Sequence, residues 1–381
     1  MTESRESHPV QVASVPPRRI QFLDVLRGIA IFLVLWRHTL GIEQVVVGYQ
    51  WWIILKLKLV GWAGVDLFFV LSGFLVGGLL CAEYRKRGSV RSGRFLLRRA
   101  FKIYPSFYAL LVSTLLWKLY QSEPLYLRSW LGEGLFLQNY LGRVWPQTWS
   151  LAVEEHFYLL IALLFWVGSK TRSLDRPVIV LGFGSLLLLG VLVLRVWLNS
   201  NAAFDQESQM FATHMRIDSL LFGSLLAYVW HMYPERTQQY TRSYRWILLI
   251  FAVACLAPLA FVPFEHPSMR TYGFTRNYLG FGTTLLLGVC GSWECPWRWL
   301  QLVGRLIASV GRQSYSIYLW HMAVFYALDE LLPRTIPFGQ RYGIHATLFF
   351  VLSVVFGSLI AIMVESPALR LRDRLLPSPT A

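Results

Sequence analysis

The chain carries apolar runs of about twenty residues again and again, the length needed to cross a bilayer core as a helix. Inside lipid every backbone N–H and C=O must find its partner within the protein, which leaves only helices or a closed barrel as spanning structures. Runs this long and continuous fit helices, because barrel strands alternate polar and apolar residues. Composition agrees: of 381 residues, 55% are hydrophobic and only 15% charged, with a mean hydropathy of +0.46. The sequence therefore predicts an all-α polytopic membrane protein of about ten transmembrane helices. They lie near residues 21–41, 62–82, 103–121, 149–168, 177–198, 215–232, 246–264, 274–292, 312–331 and 344–364. The stretch 125–141 is amphipathic and reads as interfacial or re-entrant.

Charge sets the orientation. Arg85, Lys86, Arg87, Arg91, Arg94, Arg98, Arg99 and Lys102 crowd the segment between the second and third spans. Basic residues also mark the fourth segment (Lys170, Arg172, Arg176), the sixth (Arg236, Arg242, Arg245), the eighth (Arg298, Arg305) and the segment after the last span (Arg370, Arg372, Arg374). The intervening segments mix signs, as with Glu123, Arg128, Glu133 and Arg143. The positive-inside rule then puts both termini in the cytoplasm. The net charge of +15 is thus topological, and no nucleic-acid partner is expected. Residues 1–19 read as a disordered basic cytoplasmic tail, 20–366 as one transmembrane domain and 367–381 as a cytoplasmic C-terminal tail. Cys81, Cys255, Cys290 and Cys295 show neither a disulfide framework nor a zinc spacing. No metal site and no glycine-rich phosphate loop is expected.

Within the spans, ionisable residues are costly and mark function by default. Arg27 and His38 are eleven residues apart in one apolar run. Eleven helical steps make three turns plus about 20°, so the two share a face roughly 16 Å apart along the axis. Asp24 lies one turn before Arg27, placed to pair with it at i, i+3. Residues 62–78, WAGVDLFFVLSGFLVGG, put Ser72 and Gly73 mid-membrane and Asp66 toward the outside. The Ser-Gly pair is either a helix-packing contact or a place where an extended ligand passes bare backbone. Arg98, Arg99 and Lys102 at the inner face serve as topology signal or headgroup contact; a clamp for a nucleotide phosphate is the sharper alternative. In residues 147–160, QTWSLAVEEHFYLL, Glu154 and Tyr158 share a helical face. A carboxylate beside His38 would orient its imidazole as a general base, which requires the first and fourth spans to be neighbours. His321, mid-span in RQSYSIYLWHMAVFY (312–326), reads as a buried, hydrogen-bonded histidine. His214, His266 and His345 are read as surface residues.

Together these segments resemble the acyltransferase-3 family of bacterial integral-membrane O-acyltransferases over nearly the whole chain. The similar blocks are FLDVLRGIAIFLVLWRH (22–38), VDLFFVLSGFL (65–75), RAFKIYP (99–105), WSLAVEEHFYLL (149–160), MRIDSLLFGSLLAY (215–228), SYSIYLWH (314–321) and ESP (365–367). The resemblance implies transfer of an acyl group, acetyl favoured, from cytoplasmic acyl-CoA as co-substrate, with no bound cofactor. The implied acceptor is a hydroxyl of a carbohydrate, cell-envelope glycan or glycolipid, and the implied location the bacterial cytoplasmic (inner) membrane. By position His38 would be the catalytic imidazole and Glu154 part of the site. Arg27, Ser72, Gly73, Arg98, Arg99 and Lys102 would bind or line the path of the donor, with Asp24, Asp66, Tyr158 and His321 in support. Direct transfer with His38 as base and transfer through an acyl-histidine both remain open. Lys102 stands where the family usually has arginine, which keeps charge but loses bidentate geometry. His156 replaces a common Gln, and Arg37 a usually apolar residue. The rival reading is a transporter or flippase that uses the same buried groups as a pathway.

Overall fold

The computed structural model describes residues 17–39, 60–264, 266–291, 297–333, 335–336 and 338–377. Among these every regular element is helical. The helices are α1 (Pro17–Arg37), α2 (Ala63–Arg87), α3 (Ser92–Tyr120), α4 (Leu127–Gly134), α5 (Gln138–Leu141), α6 (Trp149–Lys170), α7 (Pro177–Asn201), α8 (Thr213–Met232), α9 (Pro234–Ser243), α10 (Arg245–Leu256), α11 (Phe274–Cys290), α12 (Arg298–Arg312), α13 (Ser314–Leu331), α14 (Phe338–Ile360) and α15 (Ser366–Leu375). Among the described residues five helical stretches are long and apolar enough to cross a membrane: Ala63–Arg87, Ser92–Tyr120, Pro146–Lys170, Pro177–Asn201 and Gln340–Leu375. A sixth follows if Pro234–Ser243 and Arg245–Ala260, bent by 80°, form one span. The protein is thus a helical, multi-pass membrane protein. The exposed Leu186, Leu189 and Val193 of α7 suit a lipid solvent.

The other expected spans are helical too, but each mixes polar groups into its apolar run, as α8 does with Arg216 and Asp218. Those groups point into the bundle. Arg216 and Asp218 are buried, and so is Arg195 of α7. Arg216 pairs with Asp66 of α2, whose second oxygen accepts from Asn277 at 3.1 Å. Arg195 meets Asp218 at 2.6 Å. Full burial without this mutual compensation would cost several kcal/mol per ion.

Two glycines set a close crossing of α2 and α8. A Cβ on Gly73 would strike the Leu220 backbone, and one on Gly223 the Val70 carbonyl, so only bare backbone lets α2 and α8 meet. Ser224 Oγ donates to the Gly73 carbonyl at 2.9 Å across that crossing. α2 ends where Gly88 takes φ +66° and its N–H caps the Tyr84 carbonyl at 2.7 Å.

One element differs from expectation. Residues 298–312 form a helix where a basic connecting segment was expected. Arg298, Arg305 and Arg312, seven apart, line one face, while Trp299, Leu302 and Leu306 are exposed on another. Mean hydropathy averages the two faces away, so a span search misses it. It packs on α1 where Gly311 faces the Asp24 carbonyl and Gly28 the Ile307 carbonyl. The stretch 125–141 resolves into the short helices α4 and α5. Cys81, Cys255 and Cys290 are buried thiols, and Cys295 lies outside the described residues.

Candidate active site

A cavity opens between α1, α2, α3, α6 and α13. Arg27, Ser72, Arg99, Lys102, Glu154 and Tyr158 all line it, so six of the residues expected at the site share one space. Glu155 and the rings of Phe68, Phe69, Tyr315 and Tyr318 complete much of the wall.

Each polar group has a local reason for its position. Tyr158, one turn after Glu154 on α6, donates its hydroxyl proton to the Glu154 carboxylate. Ser72 of α2 donates to the same oxygen at 3.2 Å and lies 3.1 Å from the Tyr158 hydroxyl. Glu155, turned by about 100°, instead accepts from Tyr104 of α3 at 3.2 Å. The Arg99 guanidinium lies 5.6 Å from the Tyr158 ring centroid and 5.8 Å from that of Phe95. Lys102 forms an ion pair with Glu365, whose other oxygen accepts from Ser316 at 2.8 Å. Glu365 sits in the π-helical turn Ala361–Glu365 between α14 and α15. The extra residue in such a turn re-aims the side chains after it. Among the described residues, Arg27 and Arg99 have no carboxylate within ion-pairing distance.

His38 caps the end of α1. Its Nδ1 lies 3.0 Å from the Val34 carbonyl oxygen and 3.2 Å from His321 Nε2. The two rings are 4.9 Å apart, and that of Tyr318, at the cavity wall, is 5.6 Å from His321.

Several expectations change. The orienting contact from Glu154 to His38 is not formed. Glu154 faces α2 and the arginines, and the group beside His38 Nδ1 is His321. Gly73 packs against Leu220 and is no part of the cavity wall. Arg98, one residue from Arg99, points the other way and binds Asp373 at 3.1 Å and the Leu376 carbonyl. Asp24 is 3.8 Å from Arg312 of α12, the helix that had no counterpart in the sequence reading. Asp66 belongs to the buried network with Arg216 and Asn277. His345 is buried, stacked on Phe349 with centroids 6.0 Å apart. His156 lies 2.8 Å from the Thr213 hydroxyl. Sequence reasoning passed over Arg195, Arg216, Asp218 and Glu365 as carriers of buried charge. The signal was present: charged residues inside MRIDSLLFGSLLAY, and ESP following an apolar run. Among the described residues no three His, Cys, Asp or Glu side chains converge as a metal site.

Comparison with known proteins decides the class. An acyltransferase domain profile matches residues 20–364. The chain belongs to the acyltransferase-3 family. The chain is similar to a peptidoglycan O-acetyltransferase, OatA, of Listeria monocytogenes, with 26% identity over 73% of this chain and 47% of that protein. A putative O-acetyltransferase of Staphylococcus aureus is 26% identical over 92% of this chain and 57% of its own length. An O-acetyltransferase OatA of the same species is 24% identical over 81% of this chain and 51% of its own. The chain therefore spans about half the length of the curated relatives it matches. No solved structure matches it.

Proposed function

We propose that this protein is a membrane O-acyltransferase that moves an acyl group, acetyl favoured, from cytoplasmic acyl-CoA to a hydroxyl of a carbohydrate, cell-envelope glycan or glycolipid. The observation that carries this reading is the pair of cavity arginines, Arg27 and Arg99, which have no carboxylate partner among the described residues. A cation held in a bundle with no ion-paired carboxylate can take an anion, and arginine grips phosphate through a planar fork. The aromatic wall of Phe68, Phe69 and Tyr315 suits a pantetheine arm, and the names of the relatives favour acetyl and a peptidoglycan-like acceptor.

In this reading both termini are cytoplasmic, about ten helices span the bacterial cytoplasmic membrane, and residues 20–366 form the working domain between two cytoplasmic tails. CoA docks at the inner face on Arg27, Arg99 and Lys102. The thioester extends past Ser72, Glu154 and Tyr158 toward His38, about 16 Å along α1 from Arg27. His38 removes the acceptor hydroxyl proton as that oxygen attacks the thioester carbonyl. The C–S bond then breaks, and the thiolate leaves with the proton returned by His38. Glu154, held by Ser72 and Tyr158, is placed to accept a hydrogen bond from a pantetheine amide.

The test is acyl transfer and release of CoA thiol by purified protein given acetyl-CoA and an envelope glycan. His38→Ala at matched protein level is expected to lose both. Full activity of that variant, or donor binding with no thiol release by the wild type, sinks the proposal.

A further inference from the structure

We propose that His321 is a positioning residue that fixes the tautomer of His38, leaving the proton-accepting lone pair on His38 Nε2. The inference rests on the reading of His38 as base and adds what makes that ring a base at the correct atom.

The argument is one of donors and acceptors. A backbone carbonyl can only accept. His321 Nδ1 lies against the Tyr318 carbonyl within its own helix, so this nitrogen must carry the proton. A neutral His321 then has a bare Nε2, which can only accept. His38 Nδ1 faces two acceptors at once, the Val34 carbonyl at 3.0 Å and His321 Nε2 at 3.2 Å. The proton of a neutral His38 therefore belongs on Nδ1. A cationic His321 is excluded from the same arrangement, since its Nε2–H would confront the His38 Nδ1–H.

The surroundings hold this chain in place. His321 is fully buried, with the Tyr318 ring on one side and the Phe349 ring 6.3 Å away on another. Tyr318 is itself locked, its hydroxyl 2.7 Å from the Gln147 carbonyl and 2.7 Å from Ser150 Oγ. His38 follows the last turn of α1, where its Nδ1 contacts help to set its ring orientation.

When His38 takes the hydroxyl proton at Nε2 it becomes an imidazolium. Its Nδ1–H bond to His321 then becomes charge-assisted and stronger. His321 so supplies, with a neutral ring, the orienting role a carboxylate fills in other base-catalysed transfers. The same lone pair at Nε2 would serve if His38 acted as nucleophile.

Nitrogen-15 spectra of histidine-labelled protein, with the His38 signals assigned by their loss in His38→Ala, test the tautomer directly. The expected pattern is a protonated Nδ1 and a bare Nε2 in the wild type; the reverse overturns the inference whatever the kinetics of the His321 variants. His321→Phe keeps the ring volume and removes the acceptor. It should lower kcat about 10- to 100-fold, one charge-assisted hydrogen bond, with little change in donor KM. His321→Gln restores an acceptor oxygen near the position of Nε2 and should recover most of that loss. Wild-type kcat in His321→Phe, or a Gln variant as poor as Phe, refutes the positioning role while His38→Ala stays inactive. Activity surviving in His38→Ala instead overturns the base reading and the positioning role with it.

Discussion

Removing Asp66 tests whether the buried charges of this bundle fall into two kinds. Asp66 and Asp218 are fully buried, Arg195 is fully buried and Arg216 is 1% exposed. One Asp66 oxygen accepts from Arg216 and the other from Asn277 at 3.1 Å. The Arg216 guanidinium also donates to the Met210 carbonyl at 3.2 Å and lies 3.8 Å from the Phe274 ring centroid. Asp66→Ala leaves that guanidinium with no partnering carboxylate at its end of the network and leaves Asn277 Nδ2 only the weak Met269 sulfur as acceptor. Breaking one side of a buried pair costs about 3–5 kcal/mol. The apparent melting midpoint of protein purified in detergent should therefore fall by about 5 °C. Asp66→Leu combined with Arg216→Met removes both charges and fills similar volume, and should recover most of the loss. A double-mutant cycle should then give a coupling of about 2 kcal/mol or more. Activity per folded molecule should stay within about twofold, because Asp66 holds α2 to α8 and α11 and does not line the cavity. A melting midpoint unchanged in Asp66→Ala refutes the structural argument. Lost activity at unchanged stability would give Asp66 a part in the chemistry.

Two further outcomes separate neighbouring residues. Arg99→Ala should raise the donor KM about tenfold or more in acyl-CoA titrations, while Arg98→Ala, whose side chain binds Asp373 and the Leu376 carbonyl, should shift it by less than about threefold. Gly73→Ala presses a methyl group on the Leu220 backbone and should cost about 1–3 kcal/mol in thermal unfolding with donor KM unchanged; a raised KM at full stability would return Gly73 to the donor path.

Much of the fold was legible because hydropathy is a local property. A run such as α7, apolar all round, announces its span without reference to any neighbour. α12 was not legible for the same reason: its arginines and its exposed Trp299, Leu302 and Leu306 alternate at helical spacing, so the local average is neither span nor loop. At the site, spacing and the family resemblance together singled out Arg27, Ser72, Arg99, Lys102, Glu154 and Tyr158, which converge on one cavity. Partners were another matter. Lys102 finds Glu365 and His38 finds His321 across most of the chain, and no local pattern encodes which helices are neighbours. Glu154 illustrates the limit. Its i, i+4 relation to Tyr158 was readable and is formed, whereas its contact to another helix was assigned to His38 and is made to Ser72.

Cost alone does not separate architecture from chemistry, since every charge in a span is expensive. Saturation does. In the Asp66, Arg216, Asp218 and Arg195 network each cation meets a carboxylate and the four charges cancel, so the cluster carries no net charge to draw an ion. Around the cavity the polar groups are held by partners that leave a face open. Arg99 rests against the Tyr158 and Phe95 rings, and Glu154 takes Ser72 and Tyr158 on one oxygen, leaving the acceptor capacity of the other. At the cavity Arg27 and Arg99 are left without an ion-paired carboxylate among the described residues, so in the proposed reading something else completes them. The groups that would do so are an anion at Arg27 and Arg99 and a hydrogen-bond donor at Glu154, the two ends of a phosphate-bearing amide chain.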